Sequence, residues 1–207
     1  MSQTNPFETA LLRYLSPQQL ATIQSKKIAI GGAGGLGSNV AVALVRTGFR
    51  LLTILDKDVV DASNFNRQDY TLKDIGRPKV EALKERLLSI NPDLQVVGIK
   101  QSWAERSAGR PFQNCDIVVE AFDQAEWKFR FVEFYRTRAP FVVSGNGMAG
   151  LLQKAPMTLK KVGNVYLVGD GTTSITDGNP PLAPRVIQCA ARMAEIVLDL
   201  TLGLIPA

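Results

Sequence analysis

The chain has 207 residues, 45% of them apolar and 21% charged, with a net charge of +5, which suits about one large soluble domain with a full core. No apolar run approaches the roughly 20 residues that cross a bilayer. The start, Met1-Ser2-Gln3-Thr4-Asn5-Pro6, lacks the basic and then apolar order of a signal peptide, so a cytoplasmic protein without a membrane partner is expected.

The first two dozen residues read as short helices. Pro6 opens one, and Ser16-Pro17 is a helix-start signal for the next. Lys27-Ile28-Ala29-Ile30 reads as a buried strand running into Gly32-Ala33-Gly34-Gly35-Leu36-Gly37. Ser38 to Thr47 is an expected helix ended by Gly48, and Leu51 to Leu55 a second buried strand closed by Asp56. This strand–glycine turn–helix–strand unit is the first half of a doubly wound nucleotide fold.

Lys57 to Arg77 is polar and too irregular for a regular element, and long loops beside such a fold often carry function. Pro78 then starts a helix through Val80, Leu83 and Leu88, stopped by Asn91-Pro92. Gln95–Ile99, Asp116–Glu120 and Phe141–Ser144 read as strands, with a helix over Ala125–Thr137. Lys154 to Val168 alternates as short antiparallel strands would, Asp177-Gly178-Asn179-Pro180-Pro181 is a loop, and Pro184 to Leu202 a closing helix. The expected fold is α/β, a Rossmann-like, doubly wound and mostly parallel sheet with an antiparallel C-terminal extension. It forms one domain over 1–207: N-terminal helices in 1–25, a nucleotide-binding core in 26–150, and antiparallel strands with the closing helix in 151–207.

The glycine turn lets backbone N–H groups approach phosphates at a helix N-terminus. Asp56, about 20 residues on, ends the second strand, where a carboxylate can accept from ribose hydroxyls; it could also simply close a turn. So far the pattern would suit NAD. Arg67, Lys79 and Asp123 add charges that a hydride-transfer site has no evident need of. Each has a plainer reading, the cations as solvated surface charges and Asp123 as the cap of the next helix.

The chain has no histidine, which removes Ser-His and Cys-His catalysis. Its two cysteines, Cys115 and Cys189, are far apart, so no zinc is expected. Cys189 lies inside the closing helix and reads as a small core residue, and Cys115 reads the same way. The basic residues, among them Lys73, Arg77, Lys79, Lys84 and Arg86, are scattered without aromatic interleaving. No nucleic-acid partner is expected.

The segment from Lys27 to Asp93 resembles the ThiF/MoeB family, related to ubiquitin-activating enzymes, whose members adenylate ubiquitin-like sulfur-carrier proteins. The matching residues are Gly32-x-Gly34-Gly35-x-Gly37, Leu55-Asp56-x-Asp58, Ser63-Asn64-x-Asn66-Arg67-Gln68, Asp74-Ile75-Gly76-x-Pro78-Lys79 and Ile90-Asn91-Pro92. The strand Asp116–Asp123 and the loop Pro181-Leu182-Ala183-Pro184 extend the match.

The resemblance implies that Asp56 holds the ribose of ATP, that Arg67, Gln68 and Lys79 hold the triphosphate, and that Asp123 places Mg²⁺ near the α-phosphate. Gly32, Gly34, Gly35, Gly37, Asp58, Asn64 and Asn66 complete the implied nucleotide site. Arg13 resembles the arginine that the family donates across a homodimer interface. The implied reaction adenylates the C-terminal glycine carboxylate of a small ubiquitin-like sulfur carrier ending in Gly-Gly, with a separate sulfur donor following. The short, zinc-free form looks most like the thiamine (thiazole) branch. A molybdopterin-type carrier, a tRNA-base carboxylate or a peptide C-terminus are alternatives. Less favoured rivals are an NAD-dependent oxidoreductase and a non-catalytic carrier-binding subunit.

Overall fold

The computed structural model describes residues 5–104, 111–150, 155–173 and 178–205. The first four residues, the start of the alternating stretch at Lys154, and Asp177 of the proline loop lie outside the described residues.

The two opening helices are α1 (Pro6–Leu11) and α2 (Pro17–Ser25). Asn5 Oδ1 accepts the N–H groups of Phe7 and Glu8, and Ser16 and Gln19 form a reciprocal capping box. Each cap satisfies N–H groups that a helix start leaves unpaired, and proline in the first turn has no such group to lose. The nucleotide unit follows as β1 (Lys27–Gly31), α3 (Gly35–Thr47) and β2 (Leu51–Asp56). Helix α3 begins inside the glycine turn, one turn before the expected Ser38. It stops at Gly48, whose φ of 111° favours glycine.

The polar stretch contains two 3₁₀ turns, at Ala62–Asn64 and Leu72–Asp74, and closes on itself through a bridge between Val59 and Pro78. Then come α4 (Lys79–Leu88), β3 (Gln95–Lys100), β4 (Ile117–Glu120), α5 (Ala125–Tyr135), β5 (Phe141–Gly145), β6 (Thr158–Val162), β7 (Val165–Gly169) and α6 (Ala183–Leu202).

The strands form one sheet in the order β3-β2-β1-β4-β5-β7-β6. All neighbours are parallel except β6 and β7. The C-terminal pair is thus the expected antiparallel extension, and β7 enters the main sheet in parallel beside β5. Both faces are covered, as parallel sheets require. Alternate residues Ile28, Ile30, Ile54, Val119 and Val143 pack with Val40, Leu44, Leu83, Met193 and Val197 of α3, α4 and α6. The opposite alternates Ala29, Leu55, Val118 and Val142 pack with Trp103, Phe112, Phe131 and Tyr135.

Strand order reverses between β1 and β4, so a crevice is expected where their carboxyl ends diverge. The first helix lies at the other edge. Asn5 donates to Asn91 and Asp93, which precede β3, and Glu8 pairs with Arg50, which precedes β2.

Candidate nucleotide site

The glycine turn is built so that side chains are excluded. A Cβ at Gly37 would collide with the Gly32 carbonyl oxygen, and one at Gly35 would lie 2.9 Å from Val186 Cγ1. Gly32 has φ 102°, and a Cβ there would stand 2.7 Å from the Ala121 carbonyl oxygen. Turn, α6 and the end of β4 can approach this closely only without Cβ atoms. The turn's backbone is left at the N-terminus of α3, where the helix dipole favours anions.

Asp56 pins that turn. Its Oδ2 accepts the Ala33 N–H at 2.6 Å and its Oδ1 the Asp58 N–H at 2.8 Å. Burial pushes its carboxyl above the ordinary value, while the Ala33 and Asp58 N–H groups and the Lys79 charge pull it back. The turn-closing reading of Asp56 is therefore realised. Each oxygen of a carboxylate has a second lone pair, which leaves capacity for a hydroxyl donor. Tyr70, which sequence reasoning missed, fastens the same turn by donating to the Ala33 carbonyl at 2.7 Å.

The polar stretch folds over this turn. The Arg67 stem passes so close to Gly35 that a Cβ there would lie 3.3 Å from Arg67 Cγ. Its Nη1 donates to Asn66 Oδ1 at 2.7 Å and to the Ser63 carbonyl at 3.3 Å. Asn39 holds the two segments together, donating to the carbonyls of Gly35 and Arg67. Gln68 is 8% exposed, and its Oε1 is buried with no hydrogen-bond partner among the described residues. An orphaned acceptor of this kind is costly, so a site for a donor is implied. Lys79 is 7% exposed and donates to Asp58 Oδ2 at 3.2 Å, leaving two of its three N–H groups for other acceptors.

Asn64 and Asn66 make hydrogen bonds that shape the stretch itself. Asn64 Oδ1 caps its own 3₁₀ turn through the Asp61 N–H. Asn66 Nδ2 donates to the Pro181 carbonyl, and its own carbonyl accepts the Ala183 N–H, which ties the stretch to the start of α6.

Asp123 follows β4 in the turn to α5. It is exposed and has no side-chain partner among the described residues. Gln124, not Asp123, holds the cap position of α5, and no side chain caps that helix. Among the described residues no group of three or more His, Cys, Asp or Glu could hold a metal. A lone exposed carboxylate is nevertheless what Mg²⁺ uses when phosphates and waters supply its other ligands.

Arg13 is far from this constellation within its own chain. It follows α1, and a Cβ at Gly48 would touch Leu11 Cδ1 at 3.1 Å. Gly48 ends α3, and 13 residues of helix, about 20 Å, separate it from the glycine turn. Glycine turn, Asp56, Asp58, Arg67, Gln68 and Lys79 are thus gathered, Asp123 borders them, and Arg13 stands apart. Cys189 is fully buried and its thiol is pushed up to about 12 by burial, which leaves it unreactive at neutral pH.

A sequence model for the family described as ThiF matches residues 8–161. The chain belongs to the ThiF family. The Bacillus subtilis tRNA threonylcarbamoyladenosine dehydratase is 33% identical over 137 residues, covering 65% of this chain and 54% of that protein. The Escherichia coli sulfur carrier protein ThiS adenylyltransferase is 34% identical over 98 residues, covering 47% of this chain and 39% of that protein. The chain spans about half or less of the length of these curated relatives. In fold it superposes on the E. coli tRNA N6-threonylcarbamoyladenosine dehydratase solved with AMP, with a TM-score of 0.82, 21% identity, and coverage of 95% and 94% of the two chains. No helix among the described residues is long and apolar enough to cross a membrane.

Proposed function

We propose that the chain is an ATP-dependent adenylating enzyme, which joins AMP to a substrate carboxylate and releases pyrophosphate. The observation that carries this reading is that Arg67 lies against Gly35, Gln68 Nε2 beside Gly34, and the Lys79 charge beside Asp56, which pins the glycine turn. A dinucleotide site for hydride transfer would leave these groups without a task. A non-catalytic subunit would have no need of them.

The carboxylate is already ionised at neutral pH and needs no base, which suits a chain without histidine. Its oxygen attacks the α-phosphorus, and the bond to the departing pyrophosphate breaks. Arg67 and Lys79 stabilise the charge that gathers on the phosphates, and the glycine-turn N–H groups and Asp56 orient the nucleotide. Mg²⁺ bound beside Asp123 would supply further neutralisation of the phosphates. Arg13 can contribute only from a second copy, so a homodimer completes the site.

Two acceptors have support. A carboxylate carried on a tRNA base is favoured by the wider match to proteins named for threonylcarbamoyladenosine dehydration. The C-terminal carboxylate of a sulfur carrier is favoured by the match to the ThiS adenylyltransferase. The expectation that nucleic acid is absent from the partners finds no support in these relatives, and a thiamine role has none of its own beyond the latter match. Exchange of labelled pyrophosphate into ATP tests the proposal, with threonylcarbamoyladenosine tRNA and a Gly-Gly-ended carrier as separate acceptors. Exchange with one of them is expected. NAD binding without measurable ATP binding would refute the reading.

A further inference from the structure

Beneath the turn that carries Asp123 lies a buried charge cluster that the nucleotide chemistry does not use. Glu120 ends β4, on the face opposite the glycine-loop helix, and is fully buried. Three donors hold it. Phe122 N–H gives to Oε1 at 2.7 Å, Ser144 Oγ of β5 to Oε2 at 2.6 Å, and Lys128 Nζ to Oε1 at 3.0 Å, with its charge 2.8 Å from Oε2. Lys128, in the first turns of α5, also donates to the Phe122 carbonyl at 3.0 Å.

The consequence lies in the backbone. Residue Phe122 is held at its N–H by Glu120 and at its carbonyl by Lys128. Its carbonyl shares a rigid peptide plane with the Asp123 N–H, so fixing the oxygen fixes the plane from which the Asp123 side chain departs. On the other side, Ala121 N–H donates to the Gly31 carbonyl at 2.8 Å, and Glu120 is in register with Gly31. The clamp thereby sets Asp123 relative to the glycine turn, although Asp123 itself has no partner among the described residues.

We infer that Lys128 and Glu120 are positioning residues, which hold the Phe122–Asp123 peptide so that Asp123 meets a Mg²⁺ travelling with ATP. This rests on the proposed role of Asp123. A purely structural ion pair would bind the strand to the helix and need not grip both ends of one residue in the turn.

The test is the ratio of ATP affinities in saturating Mg²⁺ and in EDTA, which needs no acceptor. Linked sites commonly couple by about 5- to 150-fold, and a ratio in that range is expected for the unmodified protein. Removing Lys128 alone would strand a buried carboxylate, so the informative variant is Glu120→Gln/Lys128→Met, which removes both charges. Its ratio is expected to fall at least about threefold, while ATP affinity in EDTA stays within about twofold and the thermal midpoint holds. Lys128→Arg should keep the ratio. If the double variant does not fold, Glu120→Gln alone keeps an acceptor for the Phe122 N–H, and its ratio should fall about twofold. An unchanged ratio in the folded variant overturns the positioning role. An unchanged ratio in Asp123→Asn, or no Mg²⁺ effect in the unmodified protein, overturns the role of Asp123 and the inference with it.

Discussion

Two polar clusters sit at the carboxyl edge of the same sheet, and they differ in how far their groups are used up. At the end of β7, the Asp170 carboxylate is buried and accepts from Thr172 and Thr173 N–H, the Thr173 hydroxyl and Arg185 Nη2. Arg185 also donates to the Ala155 carbonyl, with only its Nε unpartnered among the described residues. This cluster joins β7 to α6 and holds the turn over residues 170–173. Around the glycine turn, in contrast, Gln68 Oε1 has no partner, Lys79 uses one donor of three, and Asp123 has no side-chain partner among the described residues. Saturated polar groups make a strut, and unsaturated ones that converge make a site.

The largest effect should come from breaking the unsaturated cluster. Arg67→Ala or Asp123→Ala is expected to lower pyrophosphate exchange about 10²–10³-fold, the scale of losing one transition-state stabiliser, with little change in melting temperature. Normal exchange in both would remove the functional half of the contrast.

The strut should respond in stability instead. Burial pushes the Asp170 carboxyl up, but the Thr173 and Thr172 N–H groups, the Thr173 hydroxyl and Arg185 overcome this and hold it at about 2, against 3.8 unperturbed. A depressed carboxyl stabilises the fold fully above the unfolded value, and loses that contribution as pH falls from about 4 through about 2. The shift corresponds to about 2 kcal/mol. Denaturant titration of Asp170→Asn should show a loss of that size at neutral pH and a flatter dependence between pH 4 and 2, with exchange lowered far less than in Arg67→Ala. The smallest effect belongs to Cys189→Ala. Cys189 donates only to the Val168 carbonyl inside the core, so about 1 kcal/mol of stability should go and exchange should persist. Loss of exchange there would restore a covalent role for the thiol.

The order of elements was legible from the apolar runs, because buried parallel strands and glycine-punctuated helices leave strong local signals. Boundaries moved where packing decided them, as at Gly35, where α3 extends into the glycine turn. The gathering of Arg67, Gln68 and Lys79 was legible from motif spacing and the family resemblance. Tyr70 and the Glu120–Lys128–Ser144 clamp were not, because their partners lie on other elements and pattern carries no information on pairing across the sheet. One faint signal existed: Glu120 is a charged residue closing an otherwise apolar strand, where an unpaired carboxylate would be prohibitive. A role for Arg13 rested on the resemblance alone, since its own chain sets it about 20 Å from the glycine turn.

Adenylation requires that a substrate carboxylate attack the α-phosphorus of ATP. This attack is tested most directly with an acceptor whose carboxylate carries ¹⁸O, chosen as the one that supports exchange. After turnover and release of the acyl group, one ¹⁸O is expected in the AMP and none in the pyrophosphate. Label in inorganic phosphate with ADP as the product would mean attack at the γ-phosphorus, and would contradict adenylation.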